Sequence, residues 1–233
     1  MIKIVLDAGH GMHTPGKRVP DGTMREWEFN SKVVQKTIRK LKEYQDVMIL
    51  RVDDHTGEKD IPLVERTNKA NSFAANCYVS VHANAYGRGF TNPSGIETYI
   101  YPSRPKEALS LASLVQKNLV HETGRRNRGV KAANFHVLRE TKMTAILCEC
   151  GFMTNKEESQ LLKSDQYRQK CADAIAQGIA SQYKLKKKRN IKELNISSKL
   201  YKVQVGAFKE KNNAERHVRS LKAKGIDAFI IQE

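Results

Sequence analysis

Four separated stretches of this chain run from apolar residues into a polar side chain beside a small-residue turn: Ile4–Gly11, Met24–Trp27, Val79–Asn84 and Ala145–Phe152. An apolar run that ends on a polar residue is how an open sheet presents chemistry at the carboxyl edge of its strands. The residues so placed are His10, Glu26, His82 and Glu149. Three of them can hold a metal ion while the fourth handles protons.

The rest of the pattern supplies the scaffold. Strands are expected over Lys3–Asp7, Val47–Arg51, Cys77–His82, Ile96–Tyr101, Phe135–Arg139 and Ala145–Glu149. Helical spacing links them: Asn30 to Tyr44 carries Val33, Val34, Ile38 and Leu41, and Ile61 to Ala75 has Pro62 in its first turn. Glu107 to Thr123 repeats the pattern and ends at Gly124, a C-cap; Gln166 to Tyr183 follows. Strands alternating with helices predict an α/β fold, with a mixed, largely parallel central sheet flanked by helices. Cys77, Cys148, Cys150 and Cys171 lack the spacing of zinc or redox motifs. Cys148 and Cys150 flank Glu149 at strand period, so they face away from it and read as buried free thiols.

Charge divides the chain unevenly. The net charge is +16, and residues 181–233 hold 14 Lys/Arg against 5 Asp/Glu. Such a balance points to an extended polyanion as partner. The helical pattern stops at Tyr183, so residues 1–183 form one domain and 184–199 read as a basic linker. In 200–233, Leu200–Phe208 alternates, Asn212–Lys224 is helical, Gly225 stops it and Ile226–Gln232 alternates again. That βαβ-sized unit is too small to bury a core alone, so it packs on the large domain or pairs with another copy. No apolar run reaches the roughly 18–20 residues of a membrane helix, so membrane insertion is not expected. Met1–Asp7 enters a strand with no secretory signal, which predicts synthesis in the cytoplasm.

A hydrolytic zinc takes three ligands from His and Asp/Glu, leaving a position for water. His10, Glu26 and His82 make such a set, with Glu149 as the proton-transfer group; Gly9 and Gly11 permit a tight turn beside His10. Two rivals stay open on this reading. Glu28 stands as close to the helix as Glu26, and Asp7 competes as a ligand, although capping the glycine-rich turn is its simpler role. His13, His55 and His121 read as loop or helix-end residues, His217 as a tail-helix residue, and His136 as a packed strand residue.

The segments Ile4–Gly11, Met24–Asn30, Glu65–Asn71, Val79–Ala85 and Leu147–Asn155, in that order across roughly residues 2–182, resemble the zinc-dependent N-acetylmuramoyl-L-alanine amidases of bacterial autolysins and phage endolysins (amidase type 3). The resemblance implies Zn2+ on His10, Glu26 and His82, with Glu149 as the catalytic carboxylate. It favours Glu26 over Glu28, because Glu26 stands four residues before Asn30. It also implies cleavage of peptidoglycan between N-acetylmuramic acid and L-alanine. No long inhibitory helix is inserted, which predicts an open cleft. Arg66 falls in the Glu-Arg-x-x-x-Ala-Asn stretch, with structural duty as its simpler role; Arg139 is a candidate for a stem-peptide carboxylate. Asn84 is a further substrate-binding candidate.

The tail segments Tyr201–Phe208, Asn213–Glu215 and Gly225–Ile230 resemble one half of a SPOR-type peptidoglycan-binding repeat. Expected partners are therefore peptidoglycan, anionic cell-wall polymers on the basic tail, and a second copy of the chain completing the half-module as a homodimer; nucleic acid is not expected. The expected role is that of a phage endolysin released through a holin, or of an autolysin acting after cell lysis in a sporulating mother cell. The rival activity is a zinc peptidase on the stem peptide.

Overall fold

A computed structural model describes residues 1–188 and 203–231 of the chain. Its centre is a six-stranded sheet in the order β2 (Val47–Arg51), β1 (Ile2–Ala8), β3 (Cys77–Asn84), β6 (Thr144–Phe152), β4 (Ile96–Ile100) and β5 (Asn127–Ala132). Every pairing is parallel except β4 with β6.

The two faces of the sheet are covered unequally. Ile4, Leu6, Val79, Val81, Ile146, Cys148 and Cys150 point into the larger core, beneath α1 (Glu26–Leu41), α3 (Lys106–Thr123) and α6 (Asp165–Gln182). At Gly178 an added Cβ would lie 2.5 Å from Val115 Cγ2, so glycine is what lets α6 close on α3. The other face carries a small cluster of Val5, Tyr78, Ala145 and Leu147 under α2 (Leu63–Ser72) and α4 (His136–Arg139). Side chains alternate along each strand, so Asp7, Ser80, His82, Glu97 and Glu149 fall on this thinner face. Register then makes neighbours of them: Asp7 pairs with Ser80, His82 with Glu149, and Glu97 with Glu149. The expected separation of Cys148 and Cys150 from Glu149 follows from the same alternation, and all four cysteines are buried and unpaired.

Several expected elements are revised. Phe135–Arg139 is not a strand; the sheet is extended by Asn127–Ala132, and His136–Arg139 is a short helix. Val137 and Leu138 are consecutive and both buried, which a helix turn permits and an alternating strand does not. His136 accordingly leaves the sheet. Glu26 is the first residue of α1 and not the end of a strand, so that helix begins four residues earlier than its apolar spacing shows. Pro62 is the N-cap residue of α2, just outside the first turn. The short helix α5 (Lys156–Lys163), capped by Asn155, lacked enough periodicity to be read from sequence.

The basic run after Tyr183 is only partly a linker. Lys186 O accepts from Gln45 N at 2.8 Å, Lys188 N donates to Glu43 O at 2.7 Å, and Leu185 packs against the larger core. The compact first unit therefore ends at Lys188, and a second spans Arg189–Glu233. In that second unit α7 (Lys211–Ala223) forms as expected and has no buried residue. The described parts of Leu200–Phe208 and Ile226–Gln232 make no strand pairing; residues 189–202, 232 and 233 lie outside the described residues. Two short segments and one helix bury too little apolar surface to order a sheet between them.

Candidate metal centre and catalytic site

His10 follows β1 in a left-handed backbone conformation, φ 67°, that L-residues rarely adopt. Hydrogen bonds on both sides hold it there. Gly9 N donates to Val81 O at 3.1 Å, Asn30 Nδ2 donates to Gly9 O at 3.0 Å, and Arg66 Nη2 donates to His10 O at 3.0 Å. Gly9 is required for a second reason: a Cβ there would stand 2.0 Å from His82 Cε1. The backbone passes directly against the second imidazole.

Glu26 enters between the two rings from the start of α1. Its Oε1 lies 3.0 Å from His82 Nδ1 and its Oε2 lies 3.4 Å from His10 Nε2. Oε1 also accepts from Ala83 N at 3.3 Å and Asn30 Nδ2 at 3.4 Å. The rings of His10 and His82 stand 5.0 Å apart, nearly perpendicular, and one ligand atom from each of the three residues falls within 4.8 Å of the others. Glu28 is spent elsewhere, accepting from Arg25 N as a cap of α1, so geometry removes it as a rival. Asp7 is removed too. It does not cap its own turn; Arg66 Nη1 donates to its Oδ1 at 2.7 Å and Ser80 Oγ donates to its Oδ2 at 2.7 Å. The turn carbonyls of Ala8 and His10 are held by Arg66 instead.

The electrostatics favour a cation. Burial raises the pKa of Glu26, yet the hydrogen bond from His82 and the charges of His82 and His10 leave it below its ordinary value. Burial lowers His82, but Glu26 outweighs that and raises it, while burial holds His10 down to about 4. The carboxylate thus retains a proton on His82 where a metal ion would supply the positive charge. Two imidazoles and a carboxylate are a donor set suited to zinc.

Glu149 sits beside this trio with a different character. It is held up at about 8 by burial, with Glu26 and Glu97 adding to the rise against the opposing pull of His82. Its Oε2 is buried and has no hydrogen-bond partner. A buried oxygen without a partner calls for a ligand, a water or a catalytic role. Its strand neighbour Glu97 is shifted the other way, to about 2: burial raises it, but Lys131, Tyr99 and Arg128 hydrogen-bond the carboxylate and prevail. Arg128 Nε donates to Glu97 at 2.6 Å, Tyr99 Oη at 2.6 Å and Asn84 Nδ2 at 2.7 Å. Adjacent carboxyl groups driven apart in this way are suited to different tasks, one to exchanging a proton and the other to holding a fixed charge.

A cavity of about 530 Å³ opens over His10, His82 and Glu149, with Lys17, Phe135 and His136 on its walls. The sequence reading did not single out Ser80, Asn30, Lys17 or Glu97. Glu97 offered only a faint signal, a charged residue in phase with Tyr99 between the core residues Ile96 and Ile100, and its cationic partners Arg128 and Lys131 lie on another strand. The three substrate-binding candidates are placed differently. Arg66 is fully buried and committed to Asp7, Asp60 and three carbonyls. Asn84 binds Glu97. Arg139 is exposed, bonds Glu140 and Asn134, and lines another cavity with Lys106 and Lys142.

Comparison with known proteins adds an independent line. The family profile described as N-acetylmuramoyl-L-alanine amidase (Amidase_3) matches residues 4–181, and that of the SPOR domain matches residues 176–233. The N-acetylmuramoyl-L-alanine amidase CwlM of Bacillus licheniformis is 35% identical over 231 residues, 99% of this chain and 85% of that protein. The sporulation-specific N-acetylmuramoyl-L-alanine amidase of Bacillus subtilis (strain 168) is 34% identical over the same shares. The endolysin of Bacillus phage SPP1 is 33% identical over 100% of this chain and 89% of its own length. Among solved structures, an N-acetylmuramoyl-L-alanine amidase from Clostridium difficile 630 superposes with a TM-score of 0.74 at 33% identity, covering 78% of this chain and 97% of that one.

Proposed function

The chain belongs to the Amidase_3 family of N-acetylmuramoyl-L-alanine amidases, carries a SPOR domain and acts on peptidoglycan; from that premise we propose a zinc-dependent hydrolysis in which His10, Glu26 and His82 hold the metal and Glu149 moves the proton. The observation that carries this reading is the unpartnered Glu149 Oε2 beside a buried carboxylate clasped by two imidazoles. Zinc bound there supplies a Lewis acid for the amide carbonyl and lowers the pKa of water toward about 7. Glu149 takes a proton from the attacking water and delivers it to the leaving amine of L-alanine. Glu97, locked by two cations, stays ionised and takes no part in that transfer. Gly9 and Asn30 keep His10 and Glu26 in place.

Digestion of purified peptidoglycan is expected to release new L-alanine amino termini and free lactyl carboxyl groups on muramic acid, read by mass spectrometry. A digest that yields D-amino acids or internal stem-peptide amines instead supports the rival reading, a zinc peptidase on the same stem. Of the polar residues first considered for substrate, Arg139 is the one whose exposure supports a contact with stem-peptide carboxylates.

The basic tail adds attraction to anionic wall polymers through its excess lysine and arginine. It also supports a homodimer. Val203, Val205, Phe208, Ile226, Phe229 and Ile231 are all exposed, and α7 buries nothing. A second copy would complete the apolar layer that one half-module lacks. Light scattering of the full chain at high micromolar concentration is expected to give a dimer; a strict monomer rejects this pairing. The cellular role we favour is that of an endolysin made in the cytoplasm and released through a holin, with mother-cell lysis in sporulation as the alternative; relatives bearing each name are about equally similar. A holin gene beside this one supports the first.

A further inference from the structure

Two residues outside the metal trio connect it to the buried Arg66. Parallel pairing of β1 with β3 sets Asp7 beside Ser80, and Ser80 lies two residues before His82, so all three side chains share a face. Asp7, paired with Arg66 at 2.7 Å, is an acceptor only, and the hydroxyl of Ser80 donates to its Oδ2 at 2.7 Å. That commits the single hydrogen of Ser80. Its oxygen is left to accept from His82 Nε2, 3.1 Å away. Without a metal the Nδ1 hydrogen donates to Glu26 at 3.0 Å; where an ion takes the place of that hydrogen, the one ring hydrogen that remains is on Nε2, held by Ser80.

We propose that Asp7 and Ser80 are positioning residues that fix His82 in the Nε2–H tautomer and so present Nδ1 to zinc. The inference rests on the assignment of His10, Glu26 and His82 as the metal centre. Arg66 gives the relay its anchor, because the same guanidinium that holds Asp7 also holds the His10 carbonyl. One buried cation thus steadies both histidine ligands. Outer partners of this kind orient the ring and raise its basicity toward the metal.

The test compares wild type with Ser80→Ala by two readouts that do not depend on turnover. The first is zinc affinity, by competition with a chromophoric chelator. The second is which His82 ring nitrogen carries the hydrogen in the zinc-saturated protein, by nitrogen–proton correlation. Ser80→Ala is expected to melt cooperatively, bind zinc roughly 10–100-fold more weakly and show both tautomers. Asp7→Asn is the complementary variant: its amide donates to Ser80, turns the hydroxyl toward Nε2 and shifts the ring hydrogen to Nδ1. Should Asp7→Asn not fold, the Ser80→Ala readouts decide alone. Wild type that takes up no zinc brings down the metal centre and the relay together. Wild type that binds zinc, with Ser80→Ala binding within about twofold of it and keeping the Nε2–H form, overturns the relay and leaves the metal centre standing.

Discussion

Glutamine in place of Glu149 is expected to leave the fold, zinc content and wall binding intact and to slow release of L-alanine termini by roughly 10²–10⁴-fold. The substitution preserves shape and removes the ability to carry a proton. Glu97 cannot substitute, although register places it beside Glu149, because four donors already occupy its carboxylate. The same variant makes a prediction about stability. In the metal-free protein Glu149 is raised to about 8 from an ordinary 4.5, largely by burial. Folding therefore takes up a proton between those values, and the stability present below pH 4.5 is progressively lost as pH rises toward 8. Glutamine has no such dependence. Metal-free Glu149→Gln should melt above metal-free wild type at neutral pH, with a gap that opens from about pH 4.5 and levels off near 8. Thermal melts across that range check it. Turnover equal to wild type would remove Glu149 as the proton carrier, and a variant less stable at pH 8 would contradict the burial argument.

The catalytic unit was legible in the sequence wherever burial wrote a period. β1, β3 and β6 are apolar until they reach the site, so His82, Glu149 and the turn at His10 announced themselves. Glu26 was identified but misplaced, because the first turn of its helix buries Trp27 and Phe29 at a spacing of two, which does not display a helical period, and the regular apolar spacing starts later. His136–Arg139 failed for a related reason: four residues are too few to tell a helical turn from a strand by period. Asp7 was read locally, as a cap for its own turn, whereas its partners stand 59 and 73 positions away at Arg66 and Ser80. Contacts of that range are created by strand register, which a single sequence does not display. Glu97 was hidden the same way, its four partners spread over Asn84, Tyr99, Arg128 and Lys131. In the tail the alternation was plain, but an alternating pattern forms a sheet only where a partner exists to pair with it.

Removal of the metal is expected to abolish hydrolysis and to lower the melting temperature together, with zinc restoring both. Two imidazoles and a carboxylate in a buried pocket are poor company without a cation, since the charge on Glu26 is then balanced only by a proton on His82. Zinc must displace that proton, so binding releases protons and strengthens as pH rises through the raised pKa of His82; His10, held at about 4, presents no such barrier. At a free zinc concentration 100-fold above the dissociation constant, linkage stabilises the folded unit by about 2.7 kcal/mol. For a unit of this size that corresponds to a rise of roughly 5–10 °C in melting temperature. Calorimetric titration in buffers of different ionisation heat measures the protons, and melts with and without chelator measure the shift. His82→Ala should abolish the proton release, the stabilisation and the activity at once, because one side chain serves all three. Activity that persists through exhaustive chelation, or zinc uptake with no proton release near neutral pH, would mean that the ion is held by other residues and that the clasp around Glu26 serves the fold alone.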